Sequence, residues 1–479
     1  MKLGQELQRL ARHSAIYGLG GLVSRILAVV LLPLYTSYLP PGSYGRVETL
    51  TAASTVAVIV LRMGVATAFF RFYFDHKDDA GRLVVVRTSF WFTMAVATAG
   101  LVLCLVFAAP IAHTLPKMGD HPELVRAAAI GFWAQMNYEQ LTSLFRVEER
   151  SVAYAIASIA NVLITIGATV VLIVGYHKGA LGLLVGNFLG TLCVYFVLLA
   201  YRREQLGPQF DRSILRGMQK FGLPLVPSAL ALWAINFIDR IFVAEYKTQA
   251  EVGVYSAAIK LASVITFVMF AFRTAWPAFA YSIEDDRDAR LTYSFVLTYL
   301  LVAASWIALA LGALAPWITH AMVAHMYYRA DKAIALLAFA GAVYAGYTVL
   351  AIGSGRARRT QFNWIVSGAG AALNIGLNFW LVPRYGMVGA AIATAAAYVA
   401  LFLGMVFYAQ RVYPVAYQWR RVITALGAGV GLTVAARAAQ LGLGPSFLLV
   451  LAYPFALALL GFYLPVERAR LRRLMPLLR

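Results

Sequence analysis

Residues 221–255 read FGLPLVPSALALWAINFIDRIFVAEYKTQAEVGVY, an apolar helix entered through two prolines and followed by a short polar turn and a second apolar run. Asp239 and Arg240 are adjacent within the first apolar run. An ionisable side chain at membrane depth costs about 2.5 to 3.5 kcal/mol, so such residues face a protein interior or a water-filled cavity. The stretch therefore predicts a membrane-spanning helix that carries a functional or structural charge pair.

The composition extends this prediction to the whole chain. Of the 479 residues, 61% are hydrophobic and 13% are charged, and the mean hydropathy is +0.73, whereas soluble domains have roughly 45–50% apolar and about 25% charged residues. The formal net charge of +20 comes from short clusters of Lys and Arg between apolar runs, which is the pattern of membrane topology. We therefore expect a polytopic membrane protein with no nucleic-acid partner.

Apolar runs of about 20 residues, the length that crosses a membrane as a helix, predict fourteen spans. Most of the 41 Lys and Arg residues fall in alternate loops, which predicts cytoplasmic N- and C-termini. The expected fold is an all-α polytopic membrane protein with five segments: an interfacial helix at 1–13, an N-lobe of six spans at 14–200, a cytoplasmic linker at 201–216, a C-lobe of six spans at 217–410, and two further spans with a basic tail at 411–479.

An internal repeat relates the two lobes. YHKGALGLLVGNFLGTLCVYF at 176–196 recurs as PRYGMVGAAIATAAAYVALFL at 383–403, and the opening span with its turn resembles the stretch around residue 240. Glycines match in pairs: Gly45 with Gly253, Gly179 with Gly386, and Gly182 with Gly389. Six spans per repeat predict a pseudo-two-fold axis along the membrane normal, with a site between the two halves.

Several motifs resemble one family. GLPLVPSAL at 222–230, FIDR at 237–240, EVGVYSAAIKLAS at 251–263 and LNIGLNFWLVPRYGMVGAAIATAAAY at 373–398 are similar to the polysaccharide transporter branch of the multidrug/oligosaccharidyl-lipid/polysaccharide (MOP) superfamily, and within it to Wzx-type flippases. SRILAVVLLPLYTSYLPPGSYG at 24–45 resembles the family's opening helix and turn, so the resemblance covers residues 12 to about 410.

The resemblance implies two six-helix lobes around a cationic cavity. It implies alternating access that carries undecaprenyl-diphosphate-linked glycans from the cytoplasmic to the outer leaflet of the bacterial inner membrane, driven by an H⁺ or Na⁺ gradient. The product would be a surface polysaccharide such as O-antigen, capsule or exopolysaccharide.

Cations at membrane depth are the candidates for binding the diphosphate, because guanidinium groups stay charged and hold phosphate oxygens in a bidentate fork. The candidates are Arg25, Arg62, Arg240, Arg273 and Lys260. Essential arginines of related lipid II flippases lie on the first, second and eighth helices, and the resemblance implies this role for Arg25, Arg62 and Arg273. Alternatively, Arg62 and Arg273 lie at helix ends and extend to the cytoplasmic interface.

Asp239, its neighbour Arg240 and the acid Glu139 lie at membrane depth, and each has two possible roles. Asp239 and Arg240 point in directions about 100° apart on a helix, so they need separate partners. Asp239 either pairs with a basic residue or couples an ion, while Arg240 either joins a salt bridge or contacts substrate. Glu139, on a polar stripe with Gln135 and Asn137, either binds H⁺ or Na⁺ or is the structural partner of an arginine.

Other functional classes of membrane protein require sequence features that differ from those found here. A MATE-like exporter of small-molecule cations predicts a cavity with net negative charge, whereas cations outnumber acids at membrane depth here. A membrane glycosyltransferase or polymerase needs a large polar loop, and HExxH, paired CxxC and P-loop motifs are missing from the sequence. We expect a transporter and not an enzyme, without a cofactor. Its expected partners are lipid-linked oligosaccharide and membrane lipids, with a polysaccharide polymerase or other export proteins as further candidates.

Overall fold

A computed structural model describes residues 26–359, 362–465, 467 and 468. The predicted interfacial helix at 1–13, Arg25 and most of the basic tail lie outside these residues. Every regular element in the described part is a helix. The α-helices are α1 (Ile26–Tyr38), α2 (Pro41–Arg62), α3 (Val65–Asp75), α4 (Asp79–Val106), α5 (Ala108–Thr114), α6 (Pro122–Val147), α7 (Ser151–Val170), α8 (Gly179–Arg202), α9 (Arg212–Gly222), α10 (Val226–Tyr246), α11 (Gln249–Ala262), α12 (Val264–Ser282), α13 (Asp286–Ala313), α14 (Ala315–Met322), α15 (Asp331–Arg356), α16 (Asn363–Tyr385), α17 (Met387–Val412), α18 (Trp419–Ala438) and α19 (Leu443–Leu459).

Eleven helical stretches of the described chain are long and apolar enough to span a membrane, so the protein is multi-pass. The three other predicted spans correspond to α1, α6 and α19. Helices α1 and α19 are shorter in the described residues. Helix α6 has 26 residues, but Gln135, Asn137 and Glu139 interrupt its apolar surface. The count of fourteen therefore remains a prediction.

The internal repeat is visible in the order and length of the helices. Helix α4 and helix α13 each have 28 residues, and each is followed at once by a short helix, α5 and α14. Helix α6 and helix α15, the next in each half, have 26 residues each. The sequence repeat thus corresponds to a repeated pattern of secondary structure.

The described chain divides into two compact units. The first unit contains the residues up to Ala257 together with Val323–Tyr327 and Ser367–Thr394, and the second contains Ala258–Met322, Tyr328–Val366 and the residues from Ala395 onward. In the first unit Phe69, Phe90 and Phe145 are among the residues of the apolar core. In the second unit Leu309 and Tyr453 belong to a separate core. The lobe boundaries expected from the sequence stay a prediction.

The predicted linker is ordered and packs on the end of α4. The side chains of Arg87 and Trp91 donate to the carbonyl oxygens of Gln205 and Gly207, each at 3.1 Å. Asp211 then caps α9 by accepting the N–H groups of residues 213 and 214. Those hydrogen bonds, led by the one from residue 214, lower the pKa of the Asp211 carboxyl. The cap is therefore ionised at neutral pH.

A break divides the second predicted span. Helix α2 ends at Arg62, and the next residues, Met63 and Gly64, have left-handed φ angles of 46° and 70°. A Cβ on Gly64 would lie 2.5 Å from the Cα of Gly222, so the two glycine backbones are in contact. Glycine is required here because any side chain would separate these two segments.

A second close approach joins two helices that correspond in the repeat. Gly45 on α2 and Gly253 on α11, which match in sequence, lie at the same crossing. A Cβ on Gly45 would overlap the carbonyl oxygen of Gln249 and lie 2.9 Å from the nitrogen of Gly253. Near the crossing, the hydroxyl of Thr49 donates to the Gln249 side chain at 3.0 Å. Small residues allow backbones to approach in this way within a membrane.

A left-handed glycine lies at the start of the last helix of each repeat. Gly179, the first residue of α8, has a φ of 55°, and its match Gly386, which immediately precedes α17, has a φ of 57°. Space is open around Gly179, whereas a Cβ on Gly386 would overlap the carboxylate of Glu251. That carboxylate accepts the N–H of Met387 at 2.8 Å. The two turns share their backbone conformation but differ in their surroundings.

We expect Gly386→Ala to destabilise the protein more than Gly179→Ala. Gly179→Ala costs about 1 kcal/mol through the left-handed φ alone, while Gly386→Ala must also displace Glu251 from the N–H of Met387. Differential scanning fluorimetry in detergent would compare the two melting temperatures with that of wild type. Equal shifts would mean that Glu251 does not restrain the second turn.

Candidate functional site

Asp239 and Arg240 lie in a buried polar cluster of the first unit. Their side chains are only 3% and 7% exposed. The Asp239 carboxylate accepts the hydroxyl of Tyr255 at 2.5 Å, the hydroxyl of Thr394 at 3.4 Å and the backbone N–H of Arg240 at 2.8 Å. Helices α10, α11 and α17 thus each contribute to a site that holds one carboxylate.

The Arg240 guanidinium is enclosed by a second set of partners. Its Nη1 donates to the carbonyl oxygen of Asn236 at 2.7 Å and lies 3.5 Å from the Asp239 carboxylate. Its Nε lies 3.5 Å from the carboxylate of Glu48, and its Cζ lies 5.0 Å from the centre of the Phe237 ring. Two carboxylates around one guanidinium make a buried charge network in which each ion is paired.

Glu48 is a residue that sequence reasoning missed. It lies at the start of the predicted second span, next to the turn, where an acidic side chain is expected at the membrane–water interface. In the structure its side chain is 14% exposed. No periodicity within α2 indicates a partner on α10, so the sequence held no signal for this contact.

Arg62 and Glu139 form an ion pair between α2 and α6. Arg62 Nη1 lies 2.6 Å from Glu139 Oε2, and the side chains are 19% and 40% exposed. The amide of Gln135 also donates to Glu139. Arg62 is the last residue of α2, where the negative end of the helix dipole favours a cation. The geometry joins two of the residues singled out from the sequence and leaves Glu139 accessible.

The remaining candidate cations are placed elsewhere. Arg25 lies outside the described residues. Lys260 and Arg273 belong to the second unit; Lys260 is partly buried and Arg273 is exposed. The Arg273 Cζ lies 5.3 Å from the centre of the Tyr344 ring, a cation–π contact that keeps the guanidinium near α15.

A polar cavity of about 480 Å³ lies inside the first unit. Its volume is within the roughly 300–1,000 Å³ of small-ligand sites. Helices α1, α6, α7 and α8 line it, and the polar lining residues are Tyr35, Gln135, Tyr138, Glu139, Thr142, Arg146, Tyr154, Ser158, Asn161, Thr165, Asn187 and Thr191. Glu139 therefore connects the cavity with the ion pair to Arg62.

Most of these lining residues were not singled out from the sequence, although a signal was present. Asn161 and Thr165 are four residues apart on α7, as are Asn187 and Thr191 on α8, and that spacing places both members of a pair on one helix face. In the structure the hydroxyls of Thr165 and Thr191 donate to Asn161 Oδ1 at 3.2 and 3.3 Å. Polar pairs in apolar helices indicated a shared interior.

The described residues offer no cluster of three or more His, Cys, Asp and Glu side chains that could hold a metal ion. The arrangement that they do offer is one of hydrogen-bond donors and acceptors around a cavity, next to paired charges. Such an arrangement can bind a polar ligand reversibly.

Known structures share the fold of this chain. The lipid II flippase MurJ in an inward closed conformation superposes with a TM-score of 0.69 over 94% of this chain and 97% of its own, at 12% identity. An inward-facing multidrug resistance MATE family transporter of the MOP superfamily superposes with a TM-score of 0.64 over 83% and 95% of the two chains, at 15% identity. The predicted all-α MOP-type fold is confirmed, and both of these structural neighbours are transporters or flippases, not enzymes.

The sequence comparisons show the family. The model of the family described as "Polysaccharide biosynthesis protein" matches residues 10–282. The lipid III flippase of Escherichia coli is 24% identical over 401 residues, which are 80% of this chain and 92% of that protein. This chain belongs to the polysaccharide biosynthesis protein family, and the predicted membership of the MOP superfamily is confirmed.

Proposed function

We propose that the protein is a flippase for undecaprenyl-diphosphate-linked oligosaccharide. It would move the lipid-linked glycan from the cytoplasmic to the outer leaflet by alternating access, for assembly of a surface polysaccharide such as O-antigen, capsule or exopolysaccharide. The observation that carries the proposal is a hydrogen-bonding cavity within a multi-pass protein of the polysaccharide biosynthesis family. A lipid III flippase among its relatives supports a lipid-linked substrate.

A hydrogen-bonding cavity meets the physical requirements for moving this substrate across the membrane. A diphosphate and its sugars need polar surroundings to cross the hydrocarbon layer, because an unsatisfied polar group there costs several kcal/mol. The prenyl chain can stay in lipid throughout. In this proposal the protein lies in the bacterial inner membrane with both termini in the cytoplasm, and a polysaccharide polymerase or other export proteins act beside it.

The candidate cations divide by their surroundings. Arg25, Arg62, Arg273 and Lys260 remain proposed contacts for the diphosphate. Arg240 has three polar partners and is almost enclosed, so we assign it a structural role. Asp239, for the same reason, is proposed as a structural partner and not as the coupling acid.

Glu139 is the better candidate for coupling to an H⁺ or Na⁺ gradient. It is 40% exposed and lines the cavity. Protonation of Glu139 would remove the charge that holds Arg62, and the freed guanidinium could then meet phosphate. The alternative role, a structural partner of Arg62, predicts a different response to exchange of the two charges.

A MATE-like exporter of small-molecule cations is the competing proposal, and the likeness to a MATE transporter favours it. A cationic cargo needs an unpaired acid in its cavity. Glu139 is the acid in the cavity lining, and it faces Arg62 at 2.6 Å. Among the described lining residues Arg146 is the other charged one, so we favour an anionic cargo.

Export of surface glycan in a flippase-deficient bacterial strain tests the proposal. We expect Arg62→Ala and Glu139→Ala each to lower export at least about tenfold at matched expression, equivalent to ~1.4 kcal/mol. Arg71→Gln is the control, because Arg71 lies over the Phe221 ring, at 4.7 Å from its centre, and does not line the cavity. Failure of the wild-type protein to restore export with any tested glycan pathway would argue for the cation exporter.

The exchange variant Arg62→Glu/Glu139→Arg separates the two roles of the pair. A purely structural pair keeps its attraction when the charges are exchanged, so export should recover to near the wild-type level. Coupling or phosphate binding needs each group in its own place, and we expect export to stay as low as in the single variants.

A further inference from the structure

We infer that the cavity among α1, α6, α7 and α8 binds the uncharged sugars next to the diphosphate, and that Arg146 at the end of α6 binds the phosphate. This inference rests on the proposed function and adds a place for each part of the substrate. The sugar subsite lies wholly within the first unit. Its ligand class is a neutral oligosaccharide.

The chemistry of the lining suits sugars better than ions. A sugar hydroxyl is both a donor and an acceptor, and amide and hydroxyl side chains offer both functions. Three amides, Gln135, Asn161 and Asn187, line the cavity together with hydroxyls of Ser, Thr and Tyr. Charged groups would hold an ion or an acidic sugar, and here the acid Glu139 already faces Arg62.

Asn187 is the residue that points most directly to a ligand. It is half-buried on α8 and lines the cavity, and among the described residues its side chain has no hydrogen-bond partner. A polar side chain at membrane depth costs free energy unless water or a ligand completes its hydrogen bonds. A bound ligand would complete these hydrogen bonds from the cavity side.

The side chain of Asn161 is also positioned to support binding of a ligand in the cavity. Its Oδ1 accepts hydroxyls from Thr165 and Thr191, on α7 and α8. Two bonds to one oxygen restrict rotation of the amide, and its NH₂ group faces the Tyr138 hydroxyl oxygen, which orients that lining hydroxyl as a donor. A preorganised donor binds a sugar oxygen with little loss of side-chain entropy.

The order of the lining residues along α6 determines how the bound substrate is oriented in the cavity. Gln135, Glu139, Thr142 and Arg146 follow one another on one face at helical spacing, and all line the cavity. Arg146 lies in the last turn of α6 and is exposed. Its Cζ lies 4.9 Å from the centre of the Phe70 ring, which restrains the side chain.

A guanidinium at a helix end can reach phosphate at the membrane interface without being carried into hydrocarbon. The diphosphate therefore binds at Arg146, which adds a contact to the cations proposed above, while the attached sugars extend along α6 toward Gln135. The prenyl chain remains in the bilayer beside the protein. This arrangement keeps the three chemically different parts of the substrate in three different surroundings.

Binding measurements on the full-length protein in lipid nanodiscs test the inference. The probes are undecaprenyl diphosphate, the same lipid carrying a neutral disaccharide, and the same lipid carrying a disaccharide with a uronic acid. We expect the wild-type protein to bind the neutral glycolipid about tenfold more tightly than the bare lipid, an effect of one or two hydrogen bonds. The acidic glycolipid should bind less tightly than the neutral one.

Two variants separate the subsites. Asn187→Ala should remove most of the gain from the neutral sugars, about three- to tenfold, and leave binding of the bare lipid unchanged. Arg146→Gln should weaken all three lipids about tenfold. Asn236→Ala and Arg71→Gln are matched controls outside the cavity and should bind all three probes as the wild type does.

The outcomes distinguish this inference from the proposed function. If the wild-type protein binds the bare and neutral lipids equally, or Asn187→Ala weakens both equally, the sugar subsite is wrong while the flippase proposal stands. If the acidic glycolipid binds as tightly as the neutral one, selection for uncharged sugars is wrong. If no prenyl diphosphate binds at all, both proposals fail.

Discussion

Asp239→Ala is expected to lower the free energy of unfolding by roughly 3–5 kcal/mol, the cost of removing one partner from a buried ion pair. The substitution deletes the acceptor of the Tyr255 hydroxyl and leaves Arg240 with Glu48 as its remaining carboxylate partner. The side chain is only 3% exposed, so water cannot easily replace the lost carboxylate. Denaturation by SDS, followed by tryptophan fluorescence, measures the change.

Two further variants show whether the cost arises from the network. Tyr255→Phe removes one hydrogen bond and should cost about 1 kcal/mol. The double variant Asp239→Ala/Arg240→Ala should cost less than the sum of the two single variants, because the isolated buried guanidinium is then gone. A cost below about 1 kcal/mol for Asp239→Ala, combined with complete loss of export, would restore Asp239 as a candidate coupling acid.

Gly45→Leu is the second large effect that we expect. The first side-chain atom of any residue at this position would overlap the Gln249 carbonyl oxygen on α11. Backbone atoms cannot move aside as a flexible side chain can, so α2 and α11 must separate. Overpacking of an interior costs about 1–3 kcal/mol, and here the loss should reach at least the upper end of that range. The melting temperature in detergent and the yield of folded protein would report it.

The matched control is Gly376→Ala on α16, in the same unit. A Cβ at Gly376 meets no atom within 4 Å, so the melting temperature should stay the same or rise slightly through the better helix propensity of alanine. Gly253→Ala should behave as Gly45→Leu does, since its Cβ would overlap the carbonyl oxygen of Pro41. Unchanged stability of both crossing variants would contradict the close helix approach.

The fold was predictable because its determinants are local and repeat. Apolar runs of membrane length predict helices directly, since backbone groups in lipid must bond within their own segment. The matching glycines Gly179 and Gly386 mark turns whose left-handed backbone favours glycine, and they recur in both halves. Helix α6 shows the limit: the polar stripe of Gln135, Asn137 and Glu139 interrupts its apolar surface, so its role as a membrane span stays a prediction.

The site was less predictable because partners lie on different helices. The sequence left Arg240 either in a salt bridge or in contact with substrate, and only the packing of α2 against α10 shows that Glu48 is one of its partners. Helical spacing could have grouped Asn161 with Thr165, but no spacing relates them to Asn187 on the next helix. Residue type and depth thus predict that a side chain is polar and interior, while its partner depends on tertiary contacts.

The contact between Gly64 and Gly222 also has a consequence for the order of folding. These residues are separated by most of the first repeat, so their contact closes a very long loop, and closure of such loops is slow compared with local helix formation. During synthesis Gly222 emerges only after the first six predicted spans are complete. The contact that supports the bend at Met63–Gly64 therefore forms late, and a chain released before α9 would lack it.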